Sequence, residues 1–170
     1  FYPSLTKDGT IYFNRRQNGE RVEYIYRSRL VDGVYQTAEK LPEQVNCGAN
    51  RFNAFIAPDE SFIIVPTIGM KDGMGGVDYY IVFRNEGDTW QEPINMGPSI
   101  NTAVGTGWSA SVTPDQKYLF FMASREMPKE NQPKELSTNF FENLLTMPQN
   151  GSADIYWIDA KFIEDLKPKN

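Results

Sequence analysis

The stretch Arg51-Phe52-Asn53-Ala54-Phe55-Ile56-Ala57-Pro58-Asp59-Glu60-Ser61-Phe62-Ile63-Ile64-Val65 decides the fold, together with its continuation to Asn101. An apolar opening is followed by a tight-turn signal, Pro58-Asp59-Glu60, and by a second apolar run. Proline presets φ at the first turn position, and aspartate hydrogen-bonds the backbone two residues on. A glycine-rich loop, Gly69 to Gly76, leads into the aromatic run Asp78-Tyr79-Tyr80-Ile81-Val82-Phe83, and Trp90-Gln91-Glu92-Pro93-Ile94-Asn95 closes the unit. Short runs rich in β-branched and aromatic residues between turn signals read as strands. The stretch therefore predicts four antiparallel strands in succession.

The residues on either side repeat this unit. Upstream, Phe1 to Thr6 turns at Lys7-Asp8-Gly9 into Ile11-Tyr12-Phe13. A third strand follows at Glu23 to Ser28, and after a turn at Val31-Asp32-Gly33 the copy ends near Pro42. Downstream, Gly107 to Thr113 turns at Pro114-Asp115-Gln116 into Tyr118-Leu119-Phe120-Phe121, and Asp154 to Ile158 is the third strand. The turn aspartates Asp8, Asp59 and Asp115 are spaced by about 51 and about 56 residues, the period of a four-stranded repeat unit. Gly9 has access to positive φ where Glu60 and Gln116 do not, so the three turns are expected to be similar rather than identical. The copies span about 1–46, 51–101 and 107–170. The last carries an insert at about 124–152 and ends in the helix-like Ala160 to Leu166 in place of a fourth strand. Within the insert, Phe140, Phe141, Leu144 and Leu145 have helical spacing in the stretch Lys134 to Met147, with Ser137 or Thr138 as N-cap and Pro148 beyond the end.

Composition bounds the function. The chain has 170 residues, 40% hydrophobic and 23% charged, and a net charge of −5, which is enough for one sizeable core and lacks a basic footprint for nucleic acid or anionic membrane. No apolar run approaches the ~20 residues of a membrane-spanning helix. The single cysteine, Cys47, excludes an intrachain disulfide and reads as a small half-buried residue. The absence of an initial Met is read as an expression or processing boundary. With no histidine, Ser-His-Asp and Cys-His catalysis and the usual zinc sites are removed. The remaining carboxylate candidates are Asp72, Asp78, Glu92 and Asp154. Asp78 and Asp154 open equivalent strands and are expected to bond backbone amides in the loops before them. No convergent acidic pair of the glycosidase kind stands out.

The glycine loop is followed by a strand rather than a helix, so it reads as a long hairpin whose glycines, Gly75 and Gly76 among them, take positive φ, not as a phosphate cradle. Calcium held by Asp72, Asp78 and carbonyl oxygens is the alternative reading of that loop; no other cofactor is expected.

Three segments carry a family resemblance: Ala57-Pro58-Asp59-Glu60, Gly73-Met74-Gly75-Gly76-Val77-Asp78-Tyr79-Tyr80, and Trp90-Gln91-Glu92-Pro93-Ile94-Asn95-Met96-Gly97-Pro98-Ser99-Ile100-Asn101-Thr102. In these the chain resembles the TolB-like (WD-like) β-propeller repeat family of bacterial envelope and secreted proteins. The middle copy fits best, the first loosely, and the third through Thr113-Pro114-Asp115-Gln116 and Asp154-Ile155-Tyr156-Trp157. The resemblance implies an all-β fold with about three blades of four antiparallel strands, half of a six-bladed propeller, and an extracytoplasmic location. Three blades leave open edges, so the chain is expected to belong to a longer propeller or to self-associate. Propeller geometry lines a central channel with first strands, making Tyr2, Arg51, Asn53, Trp108 and Ser109 the candidate ligand-binding residues. The expected function is a non-enzymatic interaction module for protein or glycan. A carbohydrate-active hydrolase or lyase is the alternative, and a sensor whose other domain carries the activity a third reading.

Overall fold

A computed structural model describes residues 2–105, 107–132, 135 and 137–168. Phe1 of the first copy, Lys134 of the proposed insert helix and the last two residues of the third copy lie outside that set. The chain is all-β; its described residues form three larger antiparallel sheets in sequence order and one separate two-stranded ribbon.

The first sheet contains β1 (Ser4–Leu5), β2 (Ile11–Arg16) and β3 (Glu23–Ser28). A separate two-stranded ribbon, β4 (Leu30–Val31) and β5 (Val34–Tyr35), turns at Asp32 and Gly33, both at positive φ. Two consecutive positive φ values match the twist of a two-residue hairpin. β6 (Glu39–Lys40) then completes the sheet in the order β1-β2-β3-β6.

The second sheet is formed by β7 (Asn50–Arg51), β8 (Phe55–Ile56), β9 (Phe62–Ile68), β10 (Asp78–Phe83) and β11 (Ile94–Asn95). Both β7 and β8 pair with β9, so they are two halves of one interrupted first strand. The register slips by one residue between Arg51↔Thr67 and Phe55↔Ile64. The slip lies opposite Pro66, which has no N–H to give the ladder; Phe52 N still donates to Pro66 O at 2.9 Å.

The third sheet has β12 (Ala110–Val112), β13 (Tyr118–Glu126) and β14 (Asn150–Asp159), in that order. The hairpin of β13 and β14 bulges between Ser124 and Glu126 but stays paired to Glu126 and Asn150, so the insert lies beyond those residues and is shorter at both ends than the 124–152 expected from the sequence. The insert carries a 3₁₀ turn and α1 (Thr138–Leu144), whose N-cap is Ser137, with the hydroxyl accepting from Phe140 N. After β14 the chain forms α2 (Phe162–Leu166) in place of another strand, and the buried Ile163 docks it against the core.

The strands alternate as a period of two requires, and that alternation divides the core. Ile64, Tyr79, Ile81 and Phe83 join Leu119, Phe121, Ala123 and Ile163 between the second and third sheets. Ile63, Val65 and Val82 join Tyr12, Ile25, Val45 and Trp90 between the first and second. Every residue of β10 is buried. Burying an aliphatic or aromatic side chain of this size contributes about 1.5–3 kcal/mol, and β10 supplies such side chains to both cores.

Two further devices lock the sheets. Asn46 Oδ1 accepts from Ile25 N (2.8 Å), and its Nδ2 donates to Ile25 O and Leu41 O. Asn101 treats Tyr79 in the same way, accepting from its N (2.7 Å) and donating to its O. Each asparagine thus stands in for missing ladder partners on the outer side of a third strand. The second device is a charge clamp between the first and second sheets. The buried Arg27 donates to both carboxylate oxygens of Asp88 (2.8 and 2.9 Å) and to Glu39 (2.9 Å). Arg84 joins Asp88 to Glu60, and Tyr12 donates its hydroxyl proton to Glu60 (2.7 Å).

The three aspartate turns are more alike than glycine content suggests. In each, the carboxylate accepts from the amide two residues on: Thr10 N for Asp8, Ser61 N for Asp59 and Lys117 N for Asp115. Gly9, Glu60 and Gln116 all adopt positive φ, at 87°, 59° and 59°. Glu60 and Gln116 therefore reach the left-handed region that only Gly9 was expected to supply, while the turns remain similar rather than identical. Glu60 is held there by its bonds to Tyr12 and Arg84, whereas Gln116 is exposed. The first turn is one residue shorter: Thr6 N bonds Thr10 O, while Ala57 N bonds Phe62 O and Thr113 N bonds Tyr118 O.

Two predictions follow from these locks. The hydrogen bonds from Arg27, opposed by burial and helped by Arg84, hold the Asp88 carboxyl well below the ordinary carboxylate range. A lowered folded value means that its stabilisation is complete above the unfolded value of about 3.9 and is lost as pH falls below it. Asp88 is partly solvated, so Asp88→Asn should cost only about 1–2 kcal/mol at pH 7 and should flatten the acid limb of a stability–pH curve measured by urea unfolding. At the exposed left-handed position, Gln116→Gly should raise Tm and Gln116→Val should lower it, each by roughly 0.5–1 kcal/mol equivalent, in differential scanning fluorimetry.

Candidate functional site

Asn53 lies in the interruption between β7 and β8, and freed from the β9 ladder it forms a parallel bridge with Ser109. Its Nδ2 donates to Ser109 Oγ at 2.8 Å. One residue back on each strand, Phe52 and Trp108 meet edge to face with ring centroids 4.6 Å apart. The first strands of the second and third sheets therefore run side by side in the same direction. They present a paired amide and hydroxyl beside an indole that is 42% exposed.

Tyr79 fixes this junction from behind. Its hydroxyl lies 2.7 Å from Ser109 O and 2.8 Å from Met122 O, and accepts from Met122 N. Burial raises its pKa, countered in part by the bonds to Met122 and Ser109, so the phenol stays protonated as a donor. Gly107 is needed here because a Cβ would sit 2.4 Å from the Tyr79 ring.

The other sequence candidates fall elsewhere. Tyr2 is half-buried just before β1, with φ 54°. Arg51 is buried, at 6% exposure, against the connection from the first sheet: Nε donates to Cys47 O at 2.7 Å and Nη2 to Gly48 O. Thus Asn53, Trp108 and Ser109 come together, and Arg51 belongs to a different surface. Burial pushes the neighbouring Cys47 thiol up to about 11, which keeps it protonated and unreactive near neutral pH.

In the glycine loop, Asp78 Oδ2 accepts from Met74 N (2.6 Å) and Gly75 N (3.1 Å), while its buried Oδ1 has no partner among the described residues. Asp72 Oδ1 accepts from Tyr80 OH at 2.9 Å, and Asn95 Nδ2 donates to Asp72 O. Among the described residues no three metal-ligating side chains converge. Asp154 does not open its strand as Asp78 does, because the β13–β14 ladder continues back to Asn150, but its Oδ2 likewise accepts from an amide before the strand, Gln149 N. Glu92 is exposed and lies 3.4 Å from Gln44 Nε2.

Only Gly69 of the loop has positive φ, which corrects the reading that the loop's glycines serve backbone handedness. Gly75 and Gly76 permit close packing instead. A Cβ on Gly75 would meet Thr102 O at 2.4 Å and the Gly105 backbone at 2.8 Å, and one on Gly76 would meet Gly105 O at 2.7 Å. Val77 N donates to Gly105 O, and Gly107 N to Val77 O. The loop is thereby tied to the segment that delivers Trp108 and Ser109. Sequence reasoning missed this link and also missed Asn46; the matched spacing of Leu41 to Asn46 and Met96 to Asn101 was the available signal for the latter.

No family model matches the chain, and no curated protein matches it. Among solved structures, hydrazine synthase of Kuenenia stuttgartiensis is similar over 70% of this chain, at 15% identity and a TM-score of 0.44. The chain spans about a third of that protein's length, 35%.

Because Gly75 faces backbone rather than a yielding side chain, Gly75→Ala should cost about 1–3 kcal/mol by urea denaturation. Gly73→Ala, whose nearest contacts are at 3.1 and 3.2 Å, should cost less.

Proposed function

We propose that the three sheets are successive blades of a β-propeller wall and that the chain is a non-enzymatic binding module for protein or glycan, acting outside the cytoplasm. The observation that carries this reading is the pairing of Asn53 with Ser109. First strands lying parallel and adjacent, each followed by its own antiparallel sheet, are what blades arranged about an axis require. The TolB-like resemblance supports the same arrangement and is the ground for the location. Trp108 supplies an apolar ring face, and the adjacent Asn53 and Ser109 supply directional hydrogen bonding, the combination that carbohydrate and peptide ligands use. The chain also lacks histidine, the commonest general base near neutral pH.

The outer face of the third sheet fits the proposal. Tyr118, Phe120, Ile155 and Trp157 share that face, with Ile155 77% and Trp157 62% exposed. A further blade on that side would cover it.

A glycan array and a peptide library, each followed by product analysis, test the reading. Retention of a ligand without turnover, weakened about tenfold or more by Trp108→Ala with an unchanged circular dichroism spectrum, is the expected result. Turnover of a retained ligand would make the protein an enzyme. Full retention by the Trp108→Ala variant would remove the first-strand site.

A further inference from the structure

Arg27 and Arg51 are the buried arginines among the described residues, and their surroundings differ in one respect. Arg27 is neutralised by Asp88 and Glu39. Arg51 enters none of the ion pairs found among the described residues. The carbonyl oxygens of Cys47 and Gly48 satisfy its Nε and Nη2 but carry no net charge. Nη1 has no hydrogen-bond partner among those residues. That nitrogen is open to the groove rather than buried, so a guanidinium held largely out of water without an ion pair points one donor at a place where a counter-charge can sit, and burial acts against its protonated form here.

A second cation stands beside it. Lys40 Nζ lies 3.2 Å from the centroid of the Tyr24 ring, and the Arg51 guanidinium carbon lies 5.2 Å from the same centroid. The phenol ring stabilises each cation in part and gathers two positive groups at one wall of the same groove. Both line a cavity of about 490 Å³, with Tyr24, Asn46, Cys47 and the carboxylate-bearing Glu43 also on its wall. Asn46 is fully used by Ile25 and Leu41, which leaves Lys40, Arg51 and Glu43 to meet a guest. An anion there would relieve both cations at once. Glu43 would repel a second negative charge and would accept from a hydroxyl group.

We propose that this groove, between β6 and the connection into β7, binds a small hydroxycarboxylate such as a sugar acid. Its single carboxylate pairs with Arg51 and Lys40, and a hydroxyl donates to Glu43. The site is separate from Trp108 and does not depend on it.

Isothermal titration of the full chain with sodium glucuronate, glucose and sodium sulfate tests this. Glucuronate should bind saturably and more weakly as salt rises, glucose should not bind, and sulfate should bind more weakly than glucuronate. Lys40→Gln removes an exposed charge without opening the core, so it should leave Tm unchanged and weaken glucuronate about tenfold. Glu43→Gln should narrow the gap between glucuronate and sulfate. Trp108→Ala should bind glucuronate as the parent does, which separates this site from the first-strand one. Absent saturation, equal binding of glucose, preference for sulfate, or an unaffected Lys40→Gln variant would each overturn the assignment. Arg51→Lys keeps the charge and loses the fork, so a folded Arg51→Lys variant should bind glucuronate more weakly than the parent, and unchanged affinity would overturn the pairing with Arg51.

Discussion

The middle sheet can be stable only if both its faces are covered, and the rest of the structure follows from that requirement. β10 is buried along its whole length, with Tyr79, Ile81 and Phe83 turned to one side and Val82 to the other. Strands buried on both faces read as near-continuous apolar runs, which is how Ile63-Ile64-Val65 and Tyr79-Tyr80-Ile81-Val82-Phe83 stand in the chain. The first and third sheets are each obliged to supply one apolar face, and the face of each turned away from the middle sheet is free to differ.

Polar groups then decide how the sheets meet. Arg27, Asp88, Arg84, Glu60 and Tyr12 join the first two sheets through bonds of fixed length and direction. Such a network contributes less net free energy than apolar burial, because desolvation offsets the attraction. What it specifies is the relative position of the sheets. The seam between the second and third sheets uses other means at the same level of the structure. There α2 inserts Ile163, and the Tyr79 hydroxyl reaches across to the backbone of Ser109 and Met122. An asparagine on each of two connections, Asn46 and Asn101, supplies the bonds that a short fourth strand does not.

Much of this was legible in the chain. The recurrence of Asp8, Asp59 and Asp115, the alternation of the apolar runs and the Ser137 cap correspond to turns, strands and a helix, because each depends on bonds within a few residues. The candidate site was legible in part. Asn53, Trp108 and Ser109 come together, yet Arg51, two residues before Asn53, faces another groove, because the first strand is interrupted between them and the register slip opposite Pro66 breaks its simple alternation. Gly75 and Gly76 were seen but misread: their reason is the approach of Gly105, some thirty residues on.

The sequence by itself determined the kind of elements and their repetition, since periodicity and turn chemistry are local and survive without knowledge of partners. It also determined which chemistries lack a residue, histidine above all. Only the tertiary structure decided which arginine has a counter-charge, which glycines are spacers and which side chains share a surface. Those properties depend on distances between residues far apart in the chain, and a charge, a Cβ or a ring acquires its meaning from the groups that packing places within a few ångströms of it.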